Sequence, residues 1–389
     1  MFSKRTGWKL TRNRFTLAQE EIQQAGGSVL DLTVSNPTRV GLAYDGDAIL
    51  ASLAQPQALD YDPQPKGLLS ARQAVSAYYR EQHDTYDVDP GSVILTTSTS
   101  EAYSYVFRLL CNTEDEVLVP KPSYPLFEFL ADLQDVKCAS YPLIYDHGWQ
   151  IDFPSIYPKV NHRTRAVVVV HPNNPTGSFV SEKEVAALNQ LCREYKLALI
   201  ADEVFLDYAH DGAPRATFAG NQDVLTFTLS GLSKISGLPQ MKAAWAVTSG
   251  PQDQVGEALA RLEIVTDTYL SMNAPVQLAL PVLLEQRKNT QPLLLDRLRA
   301  NLEALDHQLR GQQTCKRLGE DGGWYAVLRV PATRSDEDLA IQLLRECSVL
   351  LHPGHFYDFA SDGYLVISLI TPVEEFREGT RRILEFCSQ

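Results

Sequence analysis

The chain has 389 residues, 44% of them hydrophobic and 21% charged, the balance of a soluble globular protein long enough for one large core and roughly two to three domains. Its net charge of −13 argues against nucleic acid or an anionic membrane as a general partner, because phosphate-rich surfaces require a basic face. Six scattered cysteines form no C-x-x-C pair and no zinc spacing, and no 18-residue apolar run exists, so a cytoplasmic protein with reduced thiols and no membrane span is expected.

In chain order, the N-terminal stretch MFSKRTGWKLTRNRF is basic without an apolar run, which is not the pattern of a secretory signal. The first 45 residues hold no complete α/β unit and are expected to form an arm and part of a small domain. From about residue 90 short apolar runs recur that read as buried strands: 92–97, 116–120, 165–171, 197–202, 223–230 and 243–248. Several lack in/out alternation, as expected of strands covered on both faces. A helical period at 181–195 places Val185, Leu188 and Leu191 or Cys192 on one face, and Ser181 with Glu184 three residues on is a capping-box start. A Leu-rich helical pattern interrupted by prolines fills 275–312. Beyond it a strand-like GGWYAVLRVP, a helix-like 335–347, a strand-like YLVISLI and a final helix at 373–387 predict a smaller α+β domain. The expected division is 1–45, 46–280 for a large domain with a mostly parallel sheet between helices, and 281–389 for the small domain.

Ligands of open α/β sheets bind beyond the carboxyl ends of the strands, and four polar clusters fall there. TTSTSEAY follows the first strand and opens a helix, so Ser98, Thr99 and Ser100 offer hydroxyls and free backbone N–H groups to a phosphate; plain N-capping is the alternative. In HPNNPTG, Asn174 precedes a proline, which keeps its backbone extended and lets its amide reach the crevice; a simple turn would read the same way. Asp202 ends a wholly apolar run, so its carboxylate is buried and needs a cation or several donors, or else it caps a helix. Lys234, in SGLSKISGLP, lies among small residues instead of charged neighbours; this is either a surface turn or a desolvated amine of lowered pKa and raised nucleophilicity. A phosphate, a ring cation for Asp202, a hydroxyl for Asn174 and a carbonyl for Lys234 are all present in one cofactor, pyridoxal phosphate.

With these motifs in view, nearly the whole chain resembles the class I/II aminotransferases of the fold-type I pyridoxal-phosphate family. The matching segments, in order, are YDPQPKGLLSAR, PSYPLFEF, HPNNPTG, ADEVF, SGLSKISGLP and HPGHFYDF. The resemblance implies that Lys234 joins the cofactor through a Schiff base and later moves the substrate α-proton. Asp202 would hold the pyridine nitrogen protonated, Asn174 would face the ring oxygen, and Tyr124 would stack on the ring. Ser98, Thr99 and Ser100 would surround the phosphate, and Tyr61 would reach the phosphate of a neighbouring subunit, which implies a homodimer. Three positions depart from the family pattern. Phe205 stands where a tyrosine is common, Lys242 where the phosphate arginine is expected, and Val366 where an arginine clamps the substrate carboxylate. Arg39, in the segment that crosses the substrate mouth in the family, is the candidate replacement clamp, with Asn174 and the backbone of Ser35 or Asn36 as further donors. The expected activity is transfer of an amino group between an amino acid and a 2-oxo acid. A β-lyase on the same fold and a non-catalytic cofactor-binding protein are the alternatives.

Overall fold

The computed structural model describes residues 1–82, 88–211 and 215–388. A short strand β1 (Leu30–Asp31) precedes the main sheet, whose members in chain order are β2 (Val93–Thr96), β3 (Glu116–Lys121), β4 (Lys137–Tyr145), β5 (Trp149–Ile151), β6 (Thr164–Val170), β7 (Ala198–Asp202), β8 (Thr226–Gly231) and β9 (Ala244–Ser249). Their spatial order is β2-β9-β8-β7-β6-β3-β4-β5. The central strands β8, β7, β6, β3 and β4 run parallel, and β9 and β5 are antiparallel to their neighbours. The six apolar runs are all strands of this sheet. The last two strands at one end of the sheet, β4 and β5, have no such run, because they are largely half-exposed and do not need an unbroken apolar sequence.

Helices cover both faces, and the alternation along single strands shows how. Val167 and Val169 of β6 and Leu199 and Ala201 of β7 pack with Leu188, Leu191 and Cys192 of the helix Glu182–Tyr195. The intervening Ala166, Val168, Val170 and Ile200 pack on the other face with Tyr103 and Phe107 of the helix Thr99–Leu110. The capping box of the first helix is present: Ser181 Oγ accepts from the Glu184 N–H, and Glu184 in turn accepts from the Ser181 N–H at 2.8 Å.

The C-terminal part builds a second sheet from β10 (Lys316–Arg317), β11 (Tyr325–Arg329), β13 (His352–Pro353) and β14 (Tyr364–Ser368), in the order β10-β11-β14-β13, all antiparallel. The strand β12 (Val349–Leu350) pairs instead with β1, in parallel, so the N-terminal segment is bound into this half of the molecule. Phe15 and Leu32 accordingly share one core with Leu298, Val327, Ile367 and Phe376. The long helical pattern near 275–312 divides at Gln286 into the helices Ala274–Glu285 and Arg287–Leu309. Among the described residues no helix is long and apolar enough to cross a membrane.

The two halves meet where the turn after β6 touches the segment before β11. The Asp321 and Gly322 N–H groups both donate to the Gly177 carbonyl, at 3.1 and 3.0 Å. Gly177 has a φ of +69°, and a Cβ there would strike the Gly322 carbonyl oxygen and come within 2.6 Å of Glu320 Cβ. Gly177→Ala therefore combines left-handed strain with overpacking against backbone, and should lower stability by roughly 1–3 kcal/mol. Urea unfolding checks this; an unchanged midpoint would show that this contact yields freely.

Candidate active site

A cleft of about 560 Å³ opens at the carboxyl edge of the main sheet, under the second sheet. Four strand ends feed it. Ser98, Thr99 and Ser100 follow β2, Asn174 follows β6, Asp202 closes β7, and Lys234 follows β8; all six line the cleft. Tyr124 and Ser35 line it too, while Arg39, Lys242 and Tyr61 are not among its lining residues in the single chain. Arg39 and Lys242 are exposed, and Tyr61 is 85% exposed beside a different cleft. Val366 is fully buried in the second sheet, paired with Val327 on one side and His352 on the other.

Asp202 is buried because the apolar run of β7 carries it into the sheet centre. Two donors hold its carboxylate: the Tyr103 hydroxyl at 3.1 Å from Oδ2 and the Val204 N–H at 3.2 Å from Oδ1. Burial still dominates and pushes its pKa up to about 6. Lys234 faces it electrostatically, yet burial pushes the amine down to about 8, so neutral amine becomes accessible near physiological pH. The Lys234 ammonium donates to the Ser35 carbonyl at 3.4 Å and lies 4.6 Å from the Trp324 ring centre and 5.3 Å from that of Phe205. The aromatic faces supply weak attraction in place of a paired carboxylate.

The backbone under Lys234 is pinned more firmly than its side chain. Four successive carbonyls accept side-chain hydrogen bonds from different parts of the chain. Lys234 O accepts from Tyr208 at 2.7 Å, Ile235 O from Gln291 at 2.9 Å, Ser236 O from Thr290 at 3.1 Å and Gly237 O from Tyr44 at 2.8 Å. The helix Leu232–Ile235 is only one turn long, so the carbonyls at its end have few helical partners: Lys234 O also accepts from the Gly237 N–H at 3.2 Å, and the side chains supply the rest. At its other end Gly231 admits no side chain, since a Cβ would stand 2.8 Å from Ala244 Cβ and 2.9 Å from the Ala243 carbonyl.

The Asn-Asn pair divides its work. Asn173 turns inward, where its amide donates to Pro122 O at 3.0 Å and Thr176 Oγ1 at 2.8 Å and its oxygen accepts from Ser123. Asn174 lines the cleft with a buried side-chain oxygen that has no protein partner. The Asn174 amide, whose NH2 group can donate to a ring oxygen, the Ser98–Ser100 helix start and the buried Asp202 together fit pyridoxal phosphate: a ring hydroxyl, a phosphate and a ring cation.

Sequence reasoning did not single out Tyr103, Tyr208, Trp324, Tyr325 or His352. Tyr103 falls within TTSTSEAY, one helical turn beyond the cap, and that spacing is its only local mark. Tyr208 lies in the loop after β7, six residues beyond Asp202, while Trp324, Tyr325 and His352 come from segments whose approach to the cleft depends on how the second sheet packs. Phe205, by contrast, is where the sequence put it, and its ring packs edge-on against Trp324 at 5.3 Å.

A parallel-stranded α/β sheet with a lysine and a buried carboxylate at adjacent strand ends is the framework of a fold-type I enzyme. The aminotransferase class I and II family model matches residues 43–383, and the chain belongs to that family. The chain is 28% identical over 378 residues to a glutamate-pyruvate aminotransferase, AlaA, of Haemophilus influenzae, covering 94% of this chain and 92% of that one. It is 29% identical over 359 residues to an alanine aminotransferase of Mycobacterium tuberculosis, covering 88% and 82%. Among solved structures, an Escherichia coli aminotransferase superposes with a TM-score of 0.84 at 25% identity, covering 97% and 95% of the two chains. The alanine aminotransferase of Pyrococcus furiosus reaches 0.89 over the full length of both chains at 22% identity, a likeness of fold. The protein is thus an enzyme that transfers amino groups, and pyridoxal phosphate is its cofactor.

Next to Asp202, Glu203 points the other way, into the interior, where it accepts from the Phe218 N–H and the Thr217 hydroxyl, each at 2.6 Å. Burial pushes its pKa up to about 8, against an ordinary value of 4.5. A carboxyl whose folded pKa is raised is stabilising as the neutral acid, fully so below the unfolded pKa, and that contribution is lost as pH rises through the folded pKa. The stability of the parent relative to Glu203→Gln should therefore fall as pH rises from about 4.5 to about 8. Urea melts of both proteins across that range test it; a pH-independent difference would mean that Glu203 is ionised throughout.

Proposed function

We propose that this chain moves an amino group between an amino acid and a 2-oxo acid, with Lys234 as both the cofactor's covalent anchor and the group that carries the substrate α-proton. The observation that carries the reading is the convergence, in one cleft, of the Lys234 amine with its lowered pKa and the buried, doubly hydrogen-bonded carboxylate of Asp202. When bound, pyridoxal phosphate supplies the electron sink that makes breaking the substrate α-C–H bond feasible. Asp202 would keep a proton on the ring nitrogen, and Tyr103 and the Val204 amide hold that carboxylate in place. Asn174 would face the ring oxygen without help from a tyrosine, since position 205 is phenylalanine. Tyr124 would lie on the ring, and Ser98, Thr99, Ser100 and the N–H groups of their helix start would take the phosphate. The Tyr208 hydroxyl fixes the Lys234 carbonyl, so the backbone would stay in place while the Lys234 side chain holds the cofactor and moves the substrate α-proton.

The reading extends to a homodimer in which Tyr61, exposed here, reaches the partner subunit's phosphate, and Lys242 adds a positive charge to the same group. Arg39, although outside the cleft of the single chain, remains the nearest arginine in sequence to Ser35 and is proposed as a carboxylate donor at the mouth. In the division 1–45, 46–280 and 281–389, the first segment is read as an arm and part of the small domain, which the core shared by Phe15 and Leu32 with Leu298 and Ile367 supports. Free cysteines and an acidic surface charge favour the cytoplasm as its compartment.

Borohydride treatment of the cofactor-loaded protein should fix the label on the peptide that contains Lys234, and Lys234→Ala should abolish transfer while the fold persists. Asp202→Asn should lower turnover by about 10²–10³-fold, as for loss of one aimed electrostatic contact in an active site. Label on another lysine, or full turnover in either variant, would refute these roles.

A further inference from the structure

We infer that Gln291, Asp207 and Tyr78 are positioning residues of this enzyme. They form one hydrogen-bonded chain that runs from the helix Leu69–Gln82 to the Ile235 carbonyl and fixes where the Lys234 amine stands. The inference rests on the amino-transfer reading above, since it concerns the same lysine. None of the three side chains lines the cleft, so what they contribute to the chemistry passes through the backbone of the Lys234 turn.

The chain is continuous. The Tyr78 hydroxyl donates to Asp207 Oδ1 at 2.8 Å, and burial raises its pKa well above the ordinary value, so it stays a donor. The Gln291 amide donates to Asp207 Oδ2 at 2.5 Å and to the Ile235 carbonyl at 2.9 Å. One helix braces both ends. Arg287 and Gln291, four residues apart on the helix Arg287–Leu309, share a face. The Arg287 guanidinium lies 5.6 Å from the Tyr78 ring centre and pairs with Glu81 of the Tyr78 helix. The Tyr78 ring also packs edge-on against Tyr79 and Trp245, at 5.0 and 6.0 Å.

Three of the four side chains that hold the carbonyls of residues 234–237 are hydroxyls, whose O–H turns to suit its acceptor. Gln291 is a planar amide with two N–H groups at a fixed angle, and Asp207 sets that plane. Tyr208 and Gln291 together fix the two peptide planes that follow the Lys234 α-carbon. A carboxylate drawn half out of water is a costly way to fill space that apolar side chains would fill as well. What it adds here is a defined orientation. With an apolar residue at 291 the carbonyl of the fully buried Ile235 would lose this donor, and its peptide would rotate toward another. That rotation carries the stem of Lys234 with it.

The test uses the full-length, cofactor-loaded enzyme and two readouts. One is the pH midpoint of the visible absorption of the Schiff base at Lys234. The other is kcat and KM for the fastest donor in a panel of common L-amino acids. Gln291→Met, similar in length and without a donor, should lower kcat about 10–10²-fold, as for a small misplacement of a reacting group, and leave KM nearly unchanged. It should also raise the absorption midpoint, because a nitrogen that swings toward water is protonated more easily than a buried one. Tyr78→Phe removes only the hydroxyl and should shift both readouts the same way and less; it carries the test if Gln291→Met does not fold. The double variant should do no more than Gln291→Met alone, since both changes break one chain. Unchanged midpoint and kcat in the folded, loaded variants would overturn the positioning role, and independent, additive effects would overturn the chain. Absence of transfer from every donor in the parent, with the absorption shifts as expected, would sink the amino-transfer reading and leave the positioning of Lys234 supported.

Discussion

A lysine amine must be held partly stripped of water, close to a buried carboxylate, without closing an ion pair that would make it inert. Much of this structure follows from that requirement. A direct contact between Lys234 and Asp202 would return the amine's pKa toward its ordinary value, and full exposure would do the same. Here the ammonium instead meets a backbone carbonyl and two aromatic faces, and Asp202 takes its hydrogen bonds from Tyr103 and Val204. Both groups are kept ready for a third party. The position of the amine is set through the backbone, where Tyr208, Gln291, Thr290 and Tyr44 hold four consecutive carbonyls.

These holding groups show why the two halves of the molecule cannot be separated functionally. Tyr44 comes from the N-terminal segment, Tyr208 from the loop after β7, and Thr290 and Gln291 from the helix that leads into the second half. Gln291 is itself fixed by Asp207, which also accepts from Tyr78 at 2.8 Å. On the other wall, Trp324 and Tyr325 are delivered by the strand that follows the Gly177 contact. A small shift between the sheets would move the aromatic ceiling over Lys234 and loosen its anchor together, so packing at Gly177 and Gly322 bears directly on the chemistry.

The three departures from the family pattern acquire different physical meanings. Phe205 is part of an aromatic cluster with Trp324, its ring edge-on at 5.3 Å, and it brings no hydroxyl to the cleft that it lines. Lys242 has a left-handed backbone, φ +53°, at the end of the turn Pro239–Met241, and projects outside the single-chain cleft. Val366 is core: between Val327 and His352 in the sheet, an apolar branched side chain packs well and a charged one would need a partner.

The class of fold and the centre of the site were legible in the sequence because each had a local cause. Strands covered on both faces must be unbroken apolar runs, and polar residues at their carboxyl ends must face the crevice, so Ser98, Asn174, Asp202 and Lys234 stood out by position alone. The half-exposed strands β4 and β5 were silent, since exposed positions tolerate mixed residues. What only the tertiary structure decided is which side chains from distant segments surround those groups: Tyr103 under the carboxylate, Tyr208 under the lysine, Trp324, Tyr325 and His352 above the cleft. A tyrosine or histidine in a strand or loop looks the same in sequence whether it fills a core or faces a ligand. The difference lies in the packing of one sheet over another, and that depends on contacts between residues hundreds of positions apart, such as Ser35 with Lys234 and Ser368 with Val34.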